Sequence, residues 1–167
     1  MNSTTRLIIF IILGYIISST YSHAQNAHLF TTDNGLSNSL INDIIQDKYG
    51  YIWVATEDGL NRFDGVNFKN YKAEELSHGY VHSLYEDRQG TLWIGTLTGL
   101  LNYSREPDTF CRVPIIVKGD TLEAHISDII EDSHGNIWAA STGRGLLLCQ
   151  NNIARDCHEY IGVNEIE

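Results

Sequence analysis

Short apolar runs separated by polar turns follow one another along most of the chain. Residues 40–46 and 51–55 are two such runs, and Asp47-Lys48-Tyr49-Gly50 stands between them. Asp favours the first position of a tight turn because its carboxylate accepts nearby backbone N–H groups, and Gly accepts the positive φ that closes the turn. Two further runs flank Asp64-Gly65, a dipeptide typical of a two-residue hairpin. The pattern predicts four short strands, because no stretch keeps the 3.6-residue apolar period of a helix.

One sequence motif occurs three times along the chain. The copies read IIQDKYGYIWVATEDGLNRF (44–63), LYEDRQGTLWIGTLTGLLNY (84–103) and IIEDSHGNIWAASTGRGLLLC (129–149), and their tryptophans lie 40 and 45 residues apart. Self-similarity at this period is the signature of a repeat architecture, so we interpret the recurring residues as structural. They are Asp47, Gly50, Trp53 and Gly59 in the first copy, Asp87, Gly90, Trp93 and Gly99 in the second, and Asp132, Gly135, Trp138 and Gly145 in the third.

A four-stranded unit of about 40 residues matches one blade of a β-propeller. The strands read as nearly continuous apolar runs, so both faces of each sheet need a neighbouring sheet to cover them. The three tryptophans are therefore expected in the core between blades. A platform of tryptophans that stacks on sugar rings is the alternative, but it does not require the Asp-x-x-Gly turn to repeat in step.

The sequence therefore predicts an all-β fold, an incomplete β-propeller of about three four-stranded blades preceded by a signal peptide. The predicted organisation is a signal peptide at 1–24, a lead-in segment at 25–40, blades at 41–73, 80–117 and 125–162, and the start of a missing continuation at 163–167.

The N-terminal segment has the features of a secretory signal. An apolar run at 7–17 follows Arg6, and Ser22-His23-Ala24 offers small residues for cleavage. The run is too short to span about 30 Å of hydrocarbon as a helix, so export is expected rather than anchoring, with an uncleaved anchor as the alternative. At the other end a fourth copy is due just beyond Glu167. Propellers usually close with four to eight blades, so we expect an N-terminal piece of a longer protein.

The charge balance argues against some classes of partner, and the cysteine content argues against some kinds of site. Lys and Arg number 11 against 21 Asp and Glu, which argues against nucleic acid and anionic membrane surfaces as partners. The three cysteines, Cys111, Cys149 and Cys157, leave at least one without an intrachain partner. We interpret them as small core-like residues rather than as a disulfide framework or a metal site. No cofactor and no metal is predicted.

The first copy resembles the regulator-propeller repeats of hybrid two-component sensors of Bacteroidetes. The resemblance rests on Gly35-Leu36-Ser37, on Asp47 to Trp53, and on Gly59 to Gly65, and it extends over residues 29–160. The third copy departs from the pattern through one inserted residue and the loss of the Asn-Arg-Phe-Asp-Gly ending.

The resemblance implies a periplasmic sensor region of a histidine kinase that acts in a phosphorelay. It implies a parent protein anchored in the inner membrane and forming a homodimer, whose remaining blades and downstream domains are partners of this chain. It further implies a ligand of the oligosaccharide class, released from complex glycans. The chain itself lacks kinase regions, so it is not expected to be an enzyme.

The residues offer no catalytic constellation that survives comparison between the copies. Ligands of propellers usually bind on the face that carries the loops between second and third strands and the connections between blades. Glu57, Asp58 and Arg144 are the non-repeating polar residues in those loops, and they are our candidates for ligand contact. Solvated loop charge is the competing interpretation. A secreted propeller enzyme (a lyase or hydrolase) and a protein-binding scaffold stay open as alternative functions.

Overall fold

The computed structural model describes residues 27–150 and 153–156, and nearly all of its regular structure is β-strand. A short 3-10 turn at Thr32–Asn34 precedes the first sheet. Sheet 1 contains β1 (Ile41–Gln46), β2 (Ile52–Thr56), β3 (Gly59–Phe63) and β4 (Phe68–Tyr71), and the four-residue helix α1 (Ala73–Leu76) follows it. Sheet 2 contains β5 (Val81–Glu86), β6 (Leu92–Thr96), β7 (Leu100–Ser104) and β8 (Thr109–Val113).

The third sheet is larger than the first two. A hairpin of β9 (Ile115–Val117) and β10 (Asp120–Leu122) precedes β11 (His125–Glu131), β12 (Ile137–Thr142), β13 (Gly145–Gln150) and β14 (Ile153–Asp156). Sheets 1 and 2 are four-stranded antiparallel meanders in chain order, whereas sheet 3 has the order β10-β9-β14-β13-β12-β11. The all-β prediction of several four-stranded units in a partial β-propeller is confirmed.

The β9–β10 hairpin was not predicted from the sequence. The predicted second blade ended at residue 117, and residues 118–124 lay between the predicted second and third blades. Instead β9 pairs in parallel with the outermost strand β14, through Ala154↔Ile115 and Arg155↔Ile116. Two causes explain the difference: Ile115, Ile116 and Val117 are β-branched, and Lys118 and Gly119 have φ values of 52° and 88°. Two successive positive φ values form a two-residue hairpin turn. The sequence did not predict this turn, because it contains neither an Asn-Gly nor an Asp-Gly pair.

The sheets stack face to face around their innermost strands. β5 lies between β1 and β11, and each of the three strands has a bulge at its second or third residue. One apolar cluster fills the space between sheets 1 and 2 and includes Trp53, and a second fills the space between sheets 2 and 3 and includes Trp93. Each sheet thus covers an apolar face of its neighbour.

The tryptophan prediction is confirmed at two of three positions. Trp53 is 0% exposed and Trp93 is 5% exposed, so both are core residues. Trp138 is only partly buried, because it lies on the face of sheet 3 that points away from sheet 2.

The lead-in segment covers the face of sheet 1 that points away from sheet 2. Leu36 is buried there, and the Ser37 N–H donates to Asn61 Oδ1 over 2.8 Å. Phe30 packs against Phe63 and Phe68, with ring centroids 5.1 and 5.5 Å apart.

The predicted signal peptide at 1–24, Cys157 and the predicted continuation at 163–167 lie outside the described residues. Within the described part of the chain, no helix is long and apolar enough to cross a membrane.

Candidate functional site

Each recurring aspartate accepts hydrogen bonds from the backbone of its own turn and from the indole of the following tryptophan. Asp47 Oδ1 accepts the backbone N–H groups of Tyr49 and Tyr51 over 2.9 and 3.0 Å, and Asp47 Oδ2 accepts the Trp53 indole N–H over 2.9 Å. Asp87 and Asp132 repeat this arrangement, with indole bonds of 2.9 Å to Trp93 and Trp138. The sequence indicated the turn, but it did not indicate the bond to the indole.

This bonding disfavours acid–base roles for these carboxyls. Burial acts to raise the pKa of Asp47, but hydrogen bonds from Trp53, Arg105 and the backbone outweigh it and lower the pKa. Hydrogen bonds from Trp138 and Asn136 likewise lower the pKa of Asp132. A general acid near neutral pH needs the opposite shift.

The recurring glycines serve backbone geometry. Gly50, Gly90 and Gly135 close the three Asp turns with φ between 83° and 89°. At Gly59, where φ is 116°, a Cβ would lie 2.6 Å from the Tyr71 carbonyl oxygen. Gly145 also has a positive φ, of 79°, whereas Gly99 is not among the residues with one.

A repeated ionic contact joins neighbouring sheets on the side of the Asp turns, which we call the turn face. The backbone N–H of Lys48 donates to Glu86, and the Lys48 ammonium donates to the Gln89 carbonyl over 2.8 Å. Arg88 repeats this one sheet further on, since its guanidinium lies 2.8 Å from the Glu131 carboxylate. The sequence contains a pattern that could have predicted this contact. A cationic residue follows Asp47 and Asp87, and a glutamate precedes Asp87 and Asp132 in the next repeat.

Asp108 organises the outer part of the interface between sheets 1 and 2. Its carboxylate accepts from Tyr71 over 2.7 Å, from Tyr103 over 2.5 Å and from Lys69 over 2.5 Å, and Arg62 lies 3.4 Å away. Burial acts to raise the pKa of Asp108, but the bonds from Lys69, Tyr103 and Tyr71 lower it to about 2. Burial and the bond to Asp108 raise the pKa of Tyr71. Sequence reasoning missed this network because its members come from four different strands and loops.

The opposite side of the molecule carries the loops between second and third strands, and we call it the loop face. Glu57 and Asp58 lie exposed in the β2–β3 loop, and Arg144 lies exposed in the β12–β13 loop. The structure places all three on the predicted face but does not bring them together, because sheet 2 separates their sheets.

A cluster of rings that sequence reasoning missed lies near the axis of the loop face. The His82 and His125 rings are 5.0 Å apart, and the Tyr80 ring lies 6.0 and 6.3 Å from them. Tyr80 and His125 belong to this face because the Tyr80 carbonyl accepts the N–H of Leu97 and His125 pairs with Thr142, next to the β6–β7 and β12–β13 loops. His82 is the bulge residue of β5. Bulges often re-aim a side chain near functional sites.

The two imidazoles have unused hydrogen-bonding capacity. His82 Nδ1 and His125 Nε2 are buried and make no hydrogen bond with the described residues. Burial, together with the neighbouring His82, lowers the pKa of His125, which favours its neutral form. Imidazoles beside a tyrosine ring can donate to ligand oxygens and offer a flat surface for stacking. Among the described residues no group of three His, Cys, Asp or Glu side chains could hold a metal ion.

Comparison with known proteins identifies the repeat. The family model described as "Two component regulator propeller" matches residues 35–58 and 75–98. Each matched segment runs from a buried leucine, Leu36 or Leu76, through the first two strands of a sheet to the loop face. Residues 35–58 and 75–98 therefore match two-component regulator propeller repeats.

Relatives of known structure agree with this assignment. The extracellular domain of the hybrid two-component system BT3049 from B. thetaiotaomicron is 28% identical with a TM-score of 0.65, over 74% of this chain and 19% of that one. The extracellular domain of the hybrid two-component system BT4673 from the same organism is 26% identical with a TM-score of 0.64, over 78% of this chain and 18% of that one.

A curated relative is similar over a shorter stretch. Histidine kinase P4 of Formosa agariphila is 53% identical over 53 residues, which are 29% of this chain and 4% of that protein. The chain therefore spans a small part of the length of these relatives.

Proposed function

We propose that this chain is the ligand-sensing propeller region of a hybrid two-component signalling protein, and that its ligands are oligosaccharides derived from glycans. The observation that carries the proposal is the regulator-propeller repeat together with the similarity to extracellular domains of hybrid two-component systems. Such a region works outside the cytoplasm after export by its N-terminal signal peptide. In the parent protein it belongs to an inner-membrane-anchored homodimer, and ligand binding shifts the arrangement of the two copies.

The loop face is the proposed ligand surface. Tyr80, His82 and His125 supply an aromatic ring and unused imidazole nitrogens near the axis, where neighbouring sheets meet. Glu57, Asp58 and Arg144 stand on the loops around them and are retained as peripheral candidates. Sugars suit this surface because they combine hydroxyl groups with flat C–H faces that stack on aromatic rings.

Thermal unfolding with a panel of oligosaccharides released from plant and animal glycans tests the proposal. A ligand at about 100 times its Kd stabilises the folded chain by about 2.7 kcal/mol, so a specific oligosaccharide raises Tm by several degrees. We expect Tyr80→Ala and His82→Ala to abolish that rise and the exposed-helix variant Glu74→Gln to retain it. Cleavage of the oligosaccharide during incubation would favour an enzyme instead.

The coding sequence beyond Glu167 gives an independent test. A sensor requires further repeats, a membrane-spanning helix and then a helical kinase segment. A reading frame that encodes further repeats and then stops without a membrane span contradicts the sensory assignment.

A further inference from the structure

The two interfaces between sheets are filled differently near the turn face. In sheet 1, Trp53 pairs across the strands with Arg62, and Arg62 pairs with Lys69. The same register in sheet 2 runs from Trp93 to Asn102 and on to Cys111. Asn102 and Cys111 therefore occupy the positions of Arg62 and Lys69. Thr91 likewise occupies the position of Tyr51, two residues before the tryptophan.

Large side chains plug this position between sheets 1 and 2. The Arg62 guanidinium lies 4.9 Å from the centre of the Tyr51 ring and 5.6 Å from that of Trp53. It also donates to the Tyr103 hydroxyl over 2.8 Å. Arg105 seals the turn-face edge by pairing with Asp47 over 2.9 Å.

Small side chains leave the equivalent position open between sheets 2 and 3. A cleft of about 990 Å³ lies there, and its walls include Thr91, Trp93, Asn102, Cys111, Asn136 and Gln150. This volume is at the upper end of the range for small-molecule sites in proteins. The cleft also borders the turn-face residues Asp87 and Gly135, so it is separate from the ring cluster of the loop face.

The cleft has the chemistry of a site for an uncharged polar ligand. Its lining holds amides, hydroxyls and one tryptophan, and neither Lys nor Arg is among the lining residues in the described part of the chain. The Asp87 carboxylate is already occupied by Trp93, Gln89 and Thr91. Among the described residues, the side-chain amides of Asn102 and Gln89 make no hydrogen bond and can donate and accept, whereas the Gln150 amide N–H donates to Asn136 Oδ1 over 3.1 Å.

We propose that this cleft, defined by Thr91, Asn102, Cys111 and Gln150, binds a neutral saccharide of one or two sugar units. Amides recognise hydroxyl groups as both donors and acceptors. The lack of a lining cation disfavours sugar acids and sulfated sugars, whose charge would be left without a partner. This second site goes beyond the proposed function and does not depend on ligand binding at the loop face.

Ligand-observed saturation-transfer NMR on the chain tests the proposal, with maltose, cellobiose and mannobiose as neutral probes and glucuronate as the charged comparator. The double variant Thr91→Tyr/Asn102→Arg rebuilds the plug of the first interface. At least one neutral disaccharide is expected to give saturation transfer with the unmodified chain. The double variant is expected to reduce that signal at least fivefold. Tyr80→Ala, on the loop face, is expected to leave it unchanged.

A second variant guards against misfolding of the plugged protein. Asn102→Ala removes one free amide without adding volume, and we expect it to weaken disaccharide binding at least threefold while the circular dichroism spectrum is retained. Absence of saturation transfer from all three neutral disaccharides at millimolar concentration overturns the proposal. So does a signal that survives both Asn102 variants, or one that is stronger for glucuronate. A signal lost in Tyr80→Ala but kept in the Asn102 variants places the sugar on the loop face and also overturns it.

Discussion

A single carboxylate in each repeat fixes both a turn and the orientation of a tryptophan. Asp47 accepts two backbone N–H groups and the indole N–H of Trp53, and its side chain is 2% exposed. Comparison of the three copies recognises the recurrence and interprets these aspartates as structural. It does not show the indole bond, because six residues of separation become contact only after the turn folds β2 back beside β1.

Removal of the Asp47 carboxylate should strongly destabilise the fold. Asp47→Ala leaves buried N–H groups without an acceptor, and we expect it to cost about 2–3 kcal/mol. Urea unfolding followed by tryptophan fluorescence measures the change. Asp64→Ala, which removes an exposed turn carboxylate with two backbone bonds, serves as the control and should lose much less. Equal losses in the two variants would contradict the role assigned to Asp47.

Acid should weaken the interface between sheets 1 and 2 through Asp108. The pKa of Asp108 is lowered to about 2 in the folded chain, so its contribution is fully present above the unfolded pKa of about 4 and is lost as pH falls toward 2. We expect the urea midpoint to fall between pH 4 and pH 2, and to fall less steeply in Asp108→Asn. A variant with the same slope as the unmodified chain would assign the acid sensitivity to other carboxyls.

At the scale of elements, close approach between strands decides which glycines are essential. Gly59 and Gly65 both have positive φ values, of 116° and 98°. A Cβ at Gly59 would lie 2.6 Å from the Tyr71 carbonyl oxygen, whereas nothing lies within 4 Å of one at Gly65. The repeat pattern marks Gly59, but only the packing of β3 against β4 shows why.

These two glycines form a matched pair for mutation. Gly65→Ala adds only backbone strain and should cost about 1 kcal/mol. Gly59→Ala adds a steric clash and should cost about 3 kcal/mol. Chemical denaturation of the two variants, side by side, measures the difference. If Gly65→Ala proves the more damaging, the close approach at Gly59 does not limit stability.

The elements also show where sequence patterns mislead. Asn61 stands where the other repeats have Leu101 and Leu147, and it is 0% exposed. Its amide bonds Ser37 and the Val54 carbonyl, so it locks the lead-in segment onto sheet 1. In the sequence, Gly35-Leu36-Ser37 and Gly59-Leu60-Asn61 are two separate motifs. The fold brings Ser37 and Asn61 into contact.

For the whole molecule, the outward face of sheet 3 is an exposed apolar surface. Ile130 is 55% exposed and Leu146 is 43% exposed, and both lie on the face that carries Trp138. Exposed apolar patches of this kind favour association.

Charging this surface should suppress self-association. We expect the unmodified chain to show a concentration-dependent rise in sedimentation coefficient, and we expect Ile130→Lys/Leu146→Lys to reduce that rise. Val66→Lys adds a charge at a hairpin turn where the side chain is 81% exposed, and it should leave association unchanged. Equal behaviour of the two variants would show that the sheet face is not the contact surface.

The sequence by itself determined the repeat, the strand content and the turns, because each depends on local spacing and on residue preferences that recur in every copy. Tertiary structure decided which residues meet across sheets. His82 comes near His125 through a bulge, β9 joins the distant β14, and the cleft beside Asn102 opens because small side chains replace Tyr51, Arg62 and Lys69 at that interface. These contacts join residues far apart in the chain, and no single repeat contains both partners, so their spacing carries no local signal.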